Sequence, residues 1–106
     1  MIRKVALEPE AEADIDSEFY FIAEDNLSAA LRFLSAAEQT CEKIAEMPGS
    51  SSLRQFNNPV LAGLRMRPID GFANYLAFYL TTENSILVLR ELHGARDIVK
   101  IFDPNA

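Results

Sequence analysis

Cysteine and histidine each occur only once in this 106-residue chain, as Cys41 and His93. A lone cysteine excludes an internal disulfide and a cysteine-cluster metal site, and a lone histidine has no second imidazole with which to share a metal ion. The sequence therefore predicts no metal and no other cofactor. We interpret Cys41 as a small apolar residue on a buried helix face. A single cysteine also agrees with a reducing compartment.

Long apolar runs are also lacking. The first residues hold no apolar block of signal-peptide length, and no stretch approaches the roughly 20 residues that cross a bilayer. We therefore expect a cytoplasmic protein with no membrane partner. Since 49% of the residues are hydrophobic, the chain has enough apolar surface for one compact core, and we predict a single domain over residues 1–106.

Basic residues are scarce and unevenly placed. The chain carries 10 basic and 16 acidic residues, a net charge of -6, which argues against sequence-independent nucleic-acid binding over its whole surface. We expect no direct sequence-specific nucleic-acid binding either. Residues 1–53 hold four basic and eleven acidic residues, whereas residues 54–106 hold six basic and five acidic ones. Five of those six are arginines, which suit planar, bidentate recognition of carboxylate or phosphate.

Two amphipathic helices are predicted in the first half. Pro9 opens the first helix, which ends before Asp25. Asn26 or Ser28 caps the second helix, which ends before Pro48. So short a link makes the two helices antiparallel. Their apolar stripes repeat at helical spacing, with Ala11, Ile15, Phe19 and Ile22 on the first and Ala30, Phe33, Leu34, Ala37, Cys41 and Ile44 on the second.

Strands are predicted over residues 3–7, 64–69, 75–81 and 86–92. Short connections make the last three an antiparallel meander. Residues 75–80 do not alternate, as expected of a central strand covered on both faces, and Pro68 places the preceding strand near an edge or bulge. Residues 48–59 resemble an irregular loop, and residues 95–102 fit either a short helix or an extra strand.

This order of elements predicts a two-layer α+β domain. An N-terminal strand precedes an antiparallel helical hairpin, which packs on one face of an antiparallel β-sheet, and a short C-terminal element closes the chain. We expect the other face of the sheet to be left for a partner.

Polar chemistry is concentrated where the last strand ends, in the run from Leu89 to Asp97. A strand holds the groups at its exit in fixed, half-exposed positions, which suits recognition or catalysis. The candidate binding residues there and on the strand over residues 64–69 are Arg65, Arg67, Arg90, His93 and Arg96.

Several short motifs, none diagnostic alone, together resemble the RelE/ParE superfamily of bacterial toxins over nearly the whole chain. The resemblance is strongest to the ParE-type branch, whose members are also known as plasmid stabilisation proteins. The matching pieces are Leu7 to Ile15, Asn26 with Ala30 and Phe33, Met47-Pro48-Gly49, Leu64-Arg65, Phe72 to Tyr79, and Leu89 to Asp97.

The resemblance implies the toxin of a type II toxin–antitoxin system. Such a toxin is neutralised by a cognate ParD-like antitoxin, whose C-terminal segment wraps over the helices and sheet in a hetero-oligomer. ParE-type relatives inhibit DNA gyrase by protein binding, whereas RelE-type relatives are ribosome-dependent endoribonucleases that cut mRNA. We favour the gyrase inhibitor, with no catalytic residue, and keep the ribonuclease as the alternative.

The residue types bear on this choice. Metal-free RNA cleavage needs groups that accept and donate protons and cations around the transition state. RelE-like ribonucleases use lysine, arginine and tyrosine, including a tyrosine near the C-terminus, whereas this chain has three lysines and no tyrosine after Tyr79. In the ribonuclease interpretation, His93, Arg65 and Arg90 are the catalytic residues.

Each candidate also has a structural interpretation. Arg90 then pairs with Asp97 or Glu91 at the end of the sheet, and His93 is a turn residue that donates to backbone carbonyls. Tyr75 and Tyr79 then pack in the sheet with hydrated hydroxyls.

The functional interpretation makes these residues a surface for partners. An apolar helix of the antitoxin docks on the helical hairpin, and its acidic groups meet Arg65, Arg67 or Arg90.

Overall fold

A computed structural model of the protein describes residues 3–104. Its main helices are α1 (Pro9–Asp25) and α2 (Leu27–Glu46), and a short α3 (Ile98–Phe102) lies near the end. The strands are β1 (Lys4–Leu7), β2 (Ser52–Leu53), β3 (Arg65–Ile69), β4 (Phe72–Thr81) and β5 (Ser85–His93). Two 3-10 turns, Pro48–Ser50 and Pro59–Leu61, interrupt the long connection between α2 and β3.

One five-stranded sheet, in the order β1-β5-β4-β3-β2, forms the middle of the domain. The predicted meander is confirmed, because β3, β4 and β5 pair antiparallel, whereas β1 joins β5 in parallel and makes the sheet mixed. The register shifts at Pro68, beyond the short pairing with β2, so the predicted edge or bulge is also confirmed. The predicted α+β class, with two helices packed on a sheet, is therefore correct.

The break between α1 and α2 depends on Asn26. Its backbone is extended, with φ at -158°, and its side-chain Oδ1 accepts a hydrogen bond from the Ala29 N–H at 3.0 Å. Of the two caps that the sequence left open, Asn26 is therefore the one used.

The hairpin packs one apolar face against the sheet. Phe33 of α2 is fully buried, and its ring lies edge-on to Phe72 of β4 with ring centroids 5.3 Å apart. Ala11 and Ala37 are small enough to bring both helices close to the strands. The buried residues of this core are Ala11, Phe33, Ala37, Ile44, Ile69, Ala77, Tyr79, Ile86 and Val88.

The opposite face of the sheet carries a second core, so the expectation that it is left for a partner is wrong. Phe78 of β4 points to this side, and Phe102 of α3 packs on it with ring centroids 4.9 Å apart. Residues 95–102 thus end in a helix, which decides between the two predicted alternatives. The loop before β3 adds Phe56, Leu61 and Leu64 to the same cluster.

Tyr79 ties the two layers together. Its ring is fully buried, and its hydroxyl donates a 2.7 Å hydrogen bond to the Pro48 carbonyl oxygen. The expectation of a hydrated hydroxyl at Tyr79 is therefore wrong. Thr40 acts similarly on α2: its buried hydroxyl donates to the Ala36 carbonyl and accepts from the Asp70 N–H at 3.1 Å. The bond from Asp70 fixes the turn between β3 and β4 against α2.

Candidate functional site

The site lies where β5 extends beyond the end of its parallel neighbour, β1. β1 pairs with β5 only from Ser85 to Val88, and the chain then turns into α1. The last part of β5 therefore lies beside α1 instead of beside another strand, and its backbone N–H groups on that side need other partners. Asp14 of α1 supplies one of them, to the Glu91 N–H.

Asp14 of α1 meets this open edge. Its Oδ2 accepts hydrogen bonds from Arg90 Nε at 2.7 Å and from the Glu91 N–H at 3.0 Å, and its Oδ1 accepts one from Arg90 Nη2 at 2.9 Å. This bidentate contact raises the pKa of the Arg90 guanidinium, chiefly through the hydrogen bond to Asp14. The sequence proposed Asp97 or Glu91 as the partner of Arg90, and Asp14, 76 residues away, is the partner found.

Glu91 is buried without a hydrogen-bond donor. Its side chain is 1% exposed, and both carboxylate oxygens lack a partner within residues 3–104. Burial, and then the negative charge of Asp14, raise its pKa to about 8. Glu91 therefore holds a proton at neutral pH, because the charged form has neither solvent nor a cation of its own.

His93 closes β5 in a fixed orientation. Its Nδ1 accepts a hydrogen bond from the Ala95 N–H at 3.0 Å, so the backbone group that His93 contacts is a donor and not one of the carbonyls that the turn interpretation expected. The ring lies edge-on to Tyr75, with centroids 4.9 Å apart. Because the backbone donor occupies Nδ1, the neutral ring carries its proton on Nε2. The side chain thus offers a hydrogen-bond donor and not a free basic nitrogen.

A cavity of about 360 Å³ opens beside His93, and we call it the β5-end cavity. Arg96 also lines it, so the structure brings together these two of the five predicted residues. The remaining lining comes from α1 and the start of β4. The lining residues are Ser17, Glu18, Phe21, Tyr75, His93 and Arg96.

Arg65 and Arg67 lie elsewhere. They project on the hairpin side of β3, as their opposition to Tyr79 and Ala77 indicates. Arg65 Nη1 donates to the Ser51 carbonyl oxygen. Arg67 lies 3.9 Å from Asp70, a carboxylate that Lys43 also contacts. Both arginines are half-buried and engaged within the chain, and neither lines the cavity beside His93.

An apolar groove runs between β1, α1 and α2, and we call it the hairpin groove. It has a volume of about 350 Å³ and contains Cys41. Burial, together with Glu38 and Glu42, raises the pKa of the Cys41 thiol to about 11, so the thiol stays protonated and unreactive. Leu34, which the sequence placed in the core stripe, is 37% exposed at this groove. The groove is lined by Val5, Leu7, Ile15, Leu34, Ala37, Glu38, Cys41 and Glu42.

Sequence reasoning missed four residues of the site, all on α1, and one of them is Ser17. Asp14 and Glu18 are one helical turn apart, on the face that meets the end of β5, and Phe21 follows near the end of α1. The spacing of the two acids was visible in the sequence. No local pattern indicated that this face would meet residues about 75 positions away.

Comparisons with known proteins identify the fold and the family separately. Among solved structures, a chain of the chromosomal ParDE toxin–antitoxin system from P. aeruginosa matches with a TM-score of 0.68 at 15% identity, covering 87% of this chain and 96% of that one. This likeness shows a shared α+β fold. The family model for the ParE toxin of type II toxin–antitoxin systems, parDE, matches residues 5–98. The chain therefore belongs to the ParE toxin family. No protein of curated function matches it in sequence.

Within residues 3–104, no helix combines the length and the apolar character that a membrane crossing requires.

Proposed function

We propose that this toxin inhibits DNA gyrase by protein contact and that a cognate ParD-like antitoxin neutralises it in a hetero-oligomer. The family match over residues 5–98 carries the proposal. The geometry of His93 supports it, because a general base needs a free lone pair directed at its substrate, and the Ala95 N–H occupies the one on Nδ1.

The ribonuclease alternative finds little support in the arrangement of its three residues. Arg65 and His93 lie opposite Tyr79 and Tyr75 of β4, so they differ by four residues, or about 13 Å, along the strands. Arg90 is held by Asp14. Bringing these groups around one phosphate would require breaking the Arg90–Asp14 pair and moving Arg65 across β4.

Expression without antitoxin is expected to arrest growth with filamentous cells and an SOS response, since blocked gyrase leaves damaged DNA. Microscopy and an SOS reporter measure this directly, and the matched control is the same strain expressing toxin and antitoxin together. Codon-specific cuts in mRNA, with normal plasmid supercoiling, would instead establish the ribonuclease.

We place the antitoxin on the hairpin groove. The groove is apolar, is lined in part by the edge strand β1, and includes Glu38 and Glu42 in its lining. An apolar segment flanked by lysine or arginine complements it. This modifies the expectation that acidic groups of the antitoxin meet Arg65, Arg67 or Arg90, since all three arginines already have partners within the chain. Acidic groups retain Arg96 as a contact.

Replacement Leu34→Glu is expected to weaken antitoxin binding at least tenfold, because it places a third charge among the apolar lining and the two glutamates. Isothermal titration with the antitoxin measures the affinity. The matched control is Val60→Glu, which adds the same charge at a 79% exposed position outside this groove. Equal affinities for both variants would move the antitoxin away from the hairpin groove.

A further inference from the structure

The free edge of the sheet at β1 carries backbone groups without partners. The N–H groups of Lys4 and Glu8 donate to carbonyl oxygens of β5, at 3.2 Å and 2.9 Å respectively. Since alternate residues of a strand bond to the same neighbour, the N–H and C=O groups of Val5 and Leu7 point away from β5. β1 is an edge strand, and within residues 3–104 no hydrogen bond joins these outward groups to another part of the chain. They form an open template for a further strand.

Two copies of β1 satisfy these groups for each other. When the strands run antiparallel about a two-fold axis at Ala6, Val5 of one copy lies opposite Leu7 of the other. Both residues direct their backbone groups at the opposing strand, so they exchange both N–H···O=C hydrogen bonds. Moving the axis to Leu7 would instead place Val5 opposite Pro9, which has no N–H to donate. The backbone therefore favours pairing about Ala6.

The charges of the strand select the same register. Lys4 of one copy lies opposite Glu8 of the other, because the two residues are equally far from Ala6. Glu8 continues the strand, with φ at -63° and ψ at 152°, and the ion pairs found within residues 3–104 include neither side chain. Opposite charges that face each other across antiparallel strands stabilise the pairing. The two-fold axis forms this contact twice, whereas an axis at Val5 would place Lys4 opposite Ala6.

The apolar side chains also match. Val5 and Leu7 are half-buried on the hairpin side of the sheet, where they line the hairpin groove. In the pair they face Leu7 and Val5 of the second copy, so the two grooves meet at the axis and apolar surface leaves water. Glu38 and Glu42 of the groove are exposed, so salt screens the repulsion between the copies.

We propose that β1 pairs antiparallel with β1 of a second copy of this chain, which joins two five-stranded sheets into one. The backbone, the charges and the apolar side chains are each self-complementary in the one register centred on Ala6. Because the strand has only four residues, the antitoxin-free chain exchanges between monomer and dimer with concentration.

Sedimentation equilibrium of the antitoxin-free full chain measures the dimer, and charge reversal tests the register. Lys4→Glu and Glu8→Lys should each weaken self-association at least tenfold, since each places like charges opposite one another twice. An equimolar mixture of the two variants should recover the wild-type affinity, because opposite charges then face each other in both contacts. The matched controls are Lys100→Glu on α3 and Glu24→Lys on α1, both at exposed positions, and these variants should dimerise as the wild type does.

Unchanged amide spectra at low concentration establish that the four variants fold. A chain that stays monomeric at every concentration reached, or a mixture that associates no better than its components, would overturn the proposal.

Hydrogen exchange locates the contact on the backbone. With about nine-tenths of the chain dimeric, the N–H groups of Val5 and Leu7 should exchange roughly tenfold more slowly than in the monomer, whereas that of Ala6, which faces β5, should change little. A dimer that leaves the Val5 and Leu7 amides unprotected uses another surface and would contradict the proposal. Protection that appears only when antitoxin is added would assign the edge to an antitoxin strand, which also contradicts it. Gyrase inhibition is measured separately, so failure here leaves the proposed function standing.

Discussion

Replacing Asp14 with alanine is expected to lower the free energy of unfolding by about 3 kcal/mol, measured by urea denaturation at neutral pH. Removing one member of a largely buried charge pair leaves the other without compensation, and here the Asp14 side chain is 10% exposed and its Arg90 partner 25%. The change also leaves the Glu91 N–H without its acceptor. The loss of three hydrogen bonds, all accepted by the carboxylate, accounts for the size of the effect.

Asp16→Ala is the matched control, because this carboxylate lies on the same helix and is exposed. Its effect should stay within about 0.5 kcal/mol. The double replacement of Asp14 and Arg90 should cost less than the sum of the single ones, since the two side chains share one contact. Equal stability of the Asp14 and Asp16 variants would show that the pair does not hold α1 against β5.

Stability is expected to fall as the pH rises from about 5 to 8, and Glu91 is the reason. In the folded chain the pKa of this carboxyl is about 8, against an ordinary 4.5, so between these values the folded state binds a proton that the unfolded state has lost. Stability therefore decreases with pH over this window and levels off above it. At about 1.4 kcal/mol per pKa unit, the total is on the order of 5 kcal/mol.

The measurement is urea denaturation of the wild type and Glu91→Gln at several pH values from 5 to 9. The amide cannot ionise, so the variant should lose most of the pH dependence and be the more stable protein at pH 8.5. Glu83→Gln, in the exposed turn before β5, should follow the wild type. Parallel curves for wild type and Glu91→Gln would show that Glu91 is not protonated in the folded chain.

Local patterns predicted the helices and strands whose apolar residues recur at regular spacing or lie between short turns. The hairpin followed from apolar residues at helical spacing and from Asn26, and the meander followed from short turns between apolar strands. The second core was missed because Phe56, Leu61 and Leu64 lie in a segment rich in turn residues, where no periodicity marks a buried position. The five-residue α3 is too short for its pattern to differ from that of a strand.

Only part of the site was predicted, because only some of its residues are close together in the sequence. His93 and Arg96 are close in sequence, so placing them at the end of one strand was sufficient to bring them together. Arg90 was identified, but its partner Asp14 depends on how α1 crosses β5, which only the folded chain determines. Glu18 and Glu91 look like ordinary surface acids in the sequence, and burial alone distinguishes them.

Gyrase supercoiling assayed with purified, antitoxin-free protein is the most direct test of the proposed mechanism of binding without catalysis. We expect supercoiling to stop and cleaved DNA to accumulate, while transcripts in a parallel translation reaction remain intact; His93→Gln, which cannot transfer a proton as histidine does, should not gain or lose any transcript cleavage. Normal supercoiling together with cut transcripts, abolished by His93→Gln, would contradict the account.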